Sequence, residues 1–271
     1  ARHRCRLDPR PHGRSRHRAR RLFAAADQLT FTPPPSAARY HAGTHPAYAR
    51  PVARLGDLTN PDVGEGRVLV LPLGATEQHG PHLPLDTDAV IARTVAESAA
   101  GRVTAAVVAP VIAIGASGEH AGFAGTLSIG TEVLAAMIVE IVRTAGPEFD
   151  RVVIVNAHGG NLDAVRSAAA TCEFEGRPIS VWHARLDDAD AHAGSIETSV
   201  MLAIDPQRVR LDQAEPGNTA PLREILDDLR TGGVAAVSPN GVLGDPTDAT
   251  PARGEEILAG WVHEVVALLE S

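Results

Sequence analysis

The chain contains no lysine: all 25 of its basic residues are arginine, set against 33 acidic residues for a formal net charge of −8. The balance is uneven along the chain. Residues 1–50 carry eleven Arg and two acids, whereas residues 51–271 carry fourteen Arg and thirty-one acids, a net −17. A body of that sign repels a phosphate backbone, which excludes nucleic acid as its partner. Cysteine is scarce as well. Cys5 and Cys172 lie far apart, which excludes a disulfide framework and favours a reduced, cytoplasmic setting. No apolar run reaches the roughly 18 residues of a membrane-spanning helix, so no membrane partner is expected. Aromatic residues are only 3%, so the 44% hydrophobic content is mainly aliphatic, and over 271 residues it suffices for a substantial core.

Residues 1–50 join ARHRCRLDPRPHGRSRHRAR to a proline-rich stretch with FTPPPS and show no helical or strand period. They are expected to be a disordered extension, dispensable to the fold, with a non-native upstream extension as the bland explanation. A nucleic-acid arm or targeting peptide is the alternative. The apolar core of a signal peptide is missing, although the Arg-rich, acid-poor lead resembles a transit peptide.

Residues 51–271 read as one α/β domain. RVLVLPLG (67–74), TAAVVAPVI (104–112), RVVIVNAHG (151–159) and RPISVWHA (177–184) are short Val-rich runs suited to buried strands. Amphipathic segments that close on Gly101, Gly146 and Gly176 separate them, and GEEILAGWVHEVVALLES forms a final helix. The alternation predicts a three-layer α/β/α sandwich with a mostly parallel central sheet. In such folds the active groups stand at the carboxyl ends of strands.

The chemistry-bearing residues fall at those ends. EQHGPHLPLDTD (77–88) follows the first strand, and Glu, His and Asp together are the donors that hold a divalent metal. In an extended segment Glu77 and His79 face one point and Gln78 faces away. Asp88 opens a helix, where the N-terminus favours its carboxylate. Asp86 is expected to cap that helix, and His82 to be a loop histidine. NAHGGN supplies His158, with Asn161 placed to cap the next helix; it completes neither phosphate-loop pattern. Taken alone, His158 could equally be a buried core histidine. In DADAHAGSIETSVML, His192 and Glu197 stand five apart before an apolar helix. Ser195 as a cap and Glu197 in the first turn explain that spacing structurally, and a metal carboxylate with a general acid or base explains it functionally. No GxSxG elbow accompanies Ser195, so a covalent nucleophile has little support.

EQHGPHLPLDTD, GASGEHAGFAGT, NAHGGN and HAGSIETSVML, in that order and spacing, resemble the creatininase family of metal-dependent amidohydrolases across residues 54–270. RVRLDQAEPGNTAPL and SPNGVLGDPTDAT resemble its mycofactocin-system branch, whose members are peptidases acting on a small ribosomally made precursor peptide. The resemblance implies a creatininase-like metallohydrolase with two divalent ions per chain, zinc with iron(II) or manganese, in a homo-oligomer of six or eight subunits. Carried across, Glu77, Asp88 and His158 would hold one ion and His79, Asp88 and a further glutamate the other, with Asp88 bridging. The family's metal glutamate two residues after the third-motif histidine is Gly160 here, which makes Glu197 the natural replacement. Ala124 and Ala157 also replace a proline and a glycine of the family pattern. By the same resemblance His192 would give a proton to the leaving amine, while Glu119 and His120 would face substrate or support the ligands. The expected reaction is cleavage of the modified precursor near its C-terminus, releasing a Val-Tyr-derived core. A small cyclic amide is the alternative substrate, and a non-catalytic, metal-stabilised binding subunit is the reading from a different class.

Overall fold

Strand β1 (Arg67–Leu73) is the hub of the fold, because its side chains alternate between two cores. Val68 and Val70 face one cluster, and Leu69, Leu71 and Leu73 face the other. The period of two along a strand requires this when both faces are covered. The computed structural model describes residues 51–146, 148–185 and 190–271. The extension expected at residues 1–50 lies outside the described residues.

β1 is flanked by β2 (Ala106–Val108) and β3 (Phe149–Asn156), and β4 (Ile179–His183) completes the order β2-β1-β3-β4, with every pairing parallel. Helices α1 (Thr87–Ala100), α4 (Ser195–Ile204) and α7 (Pro251–Glu270) cover one face. Helices α2 (Thr131–Thr144) and α3 (Leu162–Phe174) cover the other. The expected three-layer sandwich is therefore present. β2 is much shorter than the run 104–112 predicts. Its ladder with β1 ends at Val108, and beyond Pro110 only a single bridge joins Leu73 to Ile112, one residue out of the earlier register.

Burial of Val, Leu and Ile side chains stabilises each face by about 1.5–3 kcal/mol per residue. Ile154, fully buried on β3, tests this. Ile154→Ala is expected to cost about 2–5 kcal/mol, read as a lowered denaturant midpoint with unchanged slope.

The ends of β1 and α1 touch. A Cβ on Gly74 would lie 2.4 Å from the backbone nitrogen of Ala89, so only glycine lets the helix start against the strand end. That contact carries Asp88, in the first turn of α1, to the carboxyl edge of the sheet. Two helices follow later in the chain, α5 (Leu222–Gly232) and the single turn α6 (Val234–Val237). They pack on the 3-10 turn Gly118–His120, where Gly233 approaches the carbonyl of Glu119.

Candidate metal centre

Glu77, His79, Asp88, His158, His192 and Glu197 come together at the carboxyl edge of β1 and β3, and His120 joins them from its 3-10 turn. All seven are buried, with Glu77 and His79 wholly inaccessible. Asp88 stands between two imidazoles, with Oδ1 at 3.0 Å from His79 Nε2 and Oδ2 at 3.3 Å from His158 Nδ1. Glu77 Oε2 lies 3.2 Å from His158 Nε2, and its Oε1 lies 3.2 Å from His120 Nε2 and 3.7 Å from His192 Nδ1. Glu197 Oε2 is 4.0 Å from His79 Nε2. Glu119, half-buried, has Oε1 at 3.6 Å from His158 Nε2.

The electrostatics of this cluster fit a cation. Both oxygens of Glu77 and Oδ2 of Asp88 are buried with no hydrogen bond of proper geometry, an arrangement that is costly unless positive charge meets them. Burial pushes Glu77 up to about 7 against the pull of His158, and burial likewise pushes Glu197 up to about 7. Asp88 is opposite: burial would raise it, but the His79 and His158 rings hold it well below the usual carboxylate range. Burial would depress His79 and His158, yet neighbouring carboxylates, Asp88 for the first and Glu77 for the second, outweigh it and push both up to about 10. Acidic oxygens in a water-poor site thus demand positive charge, which imidazolium or a divalent ion can supply. His79 Nδ1 lies 3.2 Å from the Glu77 carbonyl, a contact that leaves Nε2 as its ligand atom.

Among the described residues, three groups have donor atoms close enough to hold an ion: Glu77, Asp88 and His158; His79, His192 and Glu197; and Glu77, His120 and His192. The first is the set expected from the sequence. The second has His192 where Asp88 was expected, because the imidazole of His192 lies against His79 with ring centroids 4.4 Å apart. The Gly160 position is closed to any side chain, since a Cβ there would fall 2.2 Å from Glu119 Oε1 and 2.5 Å from His158 Nε2. Two carboxylates therefore flank the histidines, Glu197 on the His79 side and Glu119 on the His158 side.

Several local expectations need correction. Gln78 does not face away: the chain leaves strand geometry after Leu73, and the Gln78 side chain turns in against His120 and His192. His82 lies in the loop between β1 and α1 as expected, but its ring is buried, 2.9 Å from Thr198 Oγ1. The Asp86 side chain makes no cap and pairs instead with Arg208. Asn161 caps nothing, because its amide is spent tying together Ala116, Gly74 and Asn156. Ser195 receives Arg253, and the N-terminus of α4 is capped by Asp190, which accepts from the backbone of Ser195 at 2.9 Å and of Ile196 at 2.8 Å. Nothing local marks Asp190 over its neighbours in the acidic run, so spacing alone could not select it.

A cavity of about 520 Å³ opens beside the cluster. Its floor includes Glu119, His120, His158 and His192, and its walls include Leu222, Leu229, Val234 and Leu243. That volume lies within the range of small-ligand sites. The α5–α6 wall was not foreseen from the sequence, since its leucines carry no chemistry of their own.

A parallel α/β sheet with a buried His/carboxylate cluster at its carboxyl edge and a cavity beside it defines an α/β protein with a candidate metal site where such folds place their active groups. The chain belongs to the creatininase family, whose model, described as creatinine amidohydrolase, matches residues 56–269. It is 52% identical over 201 residues to the mycofactocin precursor peptide peptidase of Mycolicibacterium smegmatis, covering 72% of this chain and 81% of that one. To the protein of the same name from Mycobacterium tuberculosis it is 47% identical over 225 residues, covering 79% and 90%. A solved structure named "Creatininase Mn" superposes with a TM-score of 0.67 at 25% identity, covering 81% of this chain and 98% of that chain.

Proposed function

We propose that this chain is a peptidase with two divalent ions that cleaves the modified mycofactocin precursor peptide near its C-terminus and releases the Val-Tyr-derived core. The observation that carries the reading is the set of buried, unpaired carboxylate oxygens of Glu77 and Asp88 beside His120, His158 and His192, the three histidines that line the cavity. About half of all aligned positions are identical to peptidases of that name, against 25% for the creatininase structure, which favours the peptide over a small cyclic amide. Zinc with iron(II) or manganese suits the mixed nitrogen and oxygen donors. A homo-oligomer of six or eight subunits and a cytoplasmic setting complete the proposal.

Glu77, Asp88 and His158 would hold one ion, and His79, Asp88 and Glu197 the other. Bound there, such ions would supply Lewis acidity, lowering the pKa of a water towards 7 and polarising a carbonyl. The chain's own residues do the rest. His192 lines the cavity beside Glu77 and His79, where its imidazole would take up a proton and pass it to the leaving amine, although burial holds it below its ordinary value. Glu119, on the cavity floor and part-exposed, faces the substrate, and His120 backs Glu77. Leu222, Leu229 and Val234 exclude water and receive apolar side chains of the peptide.

The test is incubation of the metal-loaded protein with the modified precursor, with product release followed by mass spectrometry. Cleavage near the C-terminus that a chelator abolishes and added metal restores is the expected result. Hydrolysis of creatinine without cleavage of the peptide would establish the alternative substrate. No hydrolysis of either by a protein with its ions bound would make it a non-catalytic subunit. Deleting residues 1–50 is expected to leave soluble yield and turnover unchanged, because that segment lacks an apolar period to pack on the body. A truncated chain that is insoluble or inactive would reverse that expectation.

A further inference from the structure

Gln78 is buried, and its side-chain amide is saturated by contacts from three parts of the chain. Its Oε1 accepts from the backbone N–H of Gly80 at 2.9 Å, and its Nε2 donates to the carbonyl of Gly241 at 3.0 Å. These two bonds fix which end of the amide is nitrogen, since a flipped amide would set oxygen against oxygen and N–H against N–H. Nε2 also lies 2.8 Å from His120 Nδ1. An amide nitrogen only donates, so His120 Nδ1 must be the acceptor, and the proton of the neutral ring is left on Nε2. That atom is the one 3.2 Å from Glu77 Oε1.

The backbone of the same residue acts on His192. The carbonyl oxygen of Gln78 lies 2.8 Å from His192 Nε2, and a carbonyl only accepts, so Nε2 carries the proton and Nδ1 keeps its lone pair. The 3.1 Å contact between Gln78 Nε2 and His192 Nε2 is then not a hydrogen bond, because both hydrogens of the amide are already placed on Gly241 and His120. The bare Nδ1 faces Glu77 Oε1 at 3.7 Å.

We propose that Gln78 is a positioning residue that sets the same Nε2–H tautomer in two neighbouring histidines, which leaves the Nε2–H of His120 beside Glu77 and makes His192 a proton acceptor through Nδ1. The side chain sets the first and the backbone sets the second. With its Nδ1 lone pair engaged by Gln78 and its Nε2 protonated, His120 cannot serve as a ligand, so the Glu77, His120 and His192 group is not an ion site. The bare Nδ1 of His192 also orders the proton steps. His192 must first accept a proton at Nδ1 before it can release one to the leaving amine. The catalytic part of this inference rests on the proposed peptidase reading, whereas the tautomers themselves do not.

The test is nitrogen NMR of the zinc-loaded protein labelled with 15N-histidine, with the two rings assigned from His120→Gln and His192→Gln variants. His120 is expected to show an unprotonated Nδ1 and a protonated Nε2, and His192 a protonated Nε2. Gln78→Glu should invert His120, because a carboxylate demands a proton on Nδ1, while leaving His192 Nε2 protonated. Gln78→Met should lower kcat by about 10- to 100-fold, the usual loss for a residue supporting a metal site, with KM unchanged and a lowered thermal midpoint, since Gly80 N–H and the Gly241 carbonyl lose their partner. A wild-type His120 protonated on Nδ1 with a bare Nε2 would overturn the proposal, and so would Gln78→Met turning over at the wild-type rate. If neither variant folds, the wild-type spectrum still decides. A protein that cleaves no peptide yet shows the expected tautomers would refute the peptidase reading and leave the tautomer assignment standing.

Discussion

Asp88→Ala is expected to empty the centre of both ions and to reduce peptide hydrolysis to background, the largest loss of any single ligand change. The reason is geometric: one oxygen of Asp88 faces His79 and the other faces His158, so a single carboxylate serves both halves of the cluster. Removing a group that merely supports a metal ligand costs about 10- to 100-fold in metal affinity, and removing a shared ligand should exceed that at each ion. The fold should survive less well than the site suggests. Truncating one partner of a buried charge network typically costs about 3–5 kcal/mol, so Asp88→Asn, which keeps the shape, is the companion variant. Metal analysis of the folded fraction provides the reading. Two ions per chain with normal turnover in Asp88→Ala would show that Asp88 bridges nothing.

His192→Ala should keep the fold and the ions yet lose turnover by about 10²- to 10⁴-fold, the usual contribution of general acid–base catalysis. A substrate whose leaving group needs no proton, such as an activated ester, should suffer much less. The comparison matters because the geometry also allows another role: His192 shares a potential ion group with His79 and Glu197. An ion lost from His192→Ala would make it a ligand. Equal losses on the peptide and the ester would make it a residue that orients substrate.

Much of this is legible in the sequence. The four Val-rich runs announced a parallel sheet, since strands buried on both faces need apolar residues at consecutive positions. Loops that follow such strands converge on one edge, and this is why Glu77, His79, Asp88 and His158 could be grouped although His158 is 81 residues beyond Glu77. Strand lengths were less legible. The run 104–112 yields only the three-residue strand Ala106–Val108, because its register against β1 shifts by one residue before the bridge at Ile112.

What stayed hidden has a common cause. Gln78 was misplaced because alternation holds only while the backbone remains extended and paired, and β1 ends at Leu73. His82 meets Thr198, and His192 meets the backbone of Gln78, across more than a hundred residues of chain. The cap of α4 fell to Asp190 and not Ser195 because the path of the preceding loop, not the local spacing, brings that carboxylate to the helix end. By itself the sequence determined the fold class, the ligand-type residues and the edge of the sheet at which they gather, because local periodicity and strand polarity depend on neighbours in the chain. The tertiary structure alone decided which carboxylate stands between which histidines, which rings meet Gln78 and what walls the cavity, because packing places atoms at distances that sequence separation does not encode.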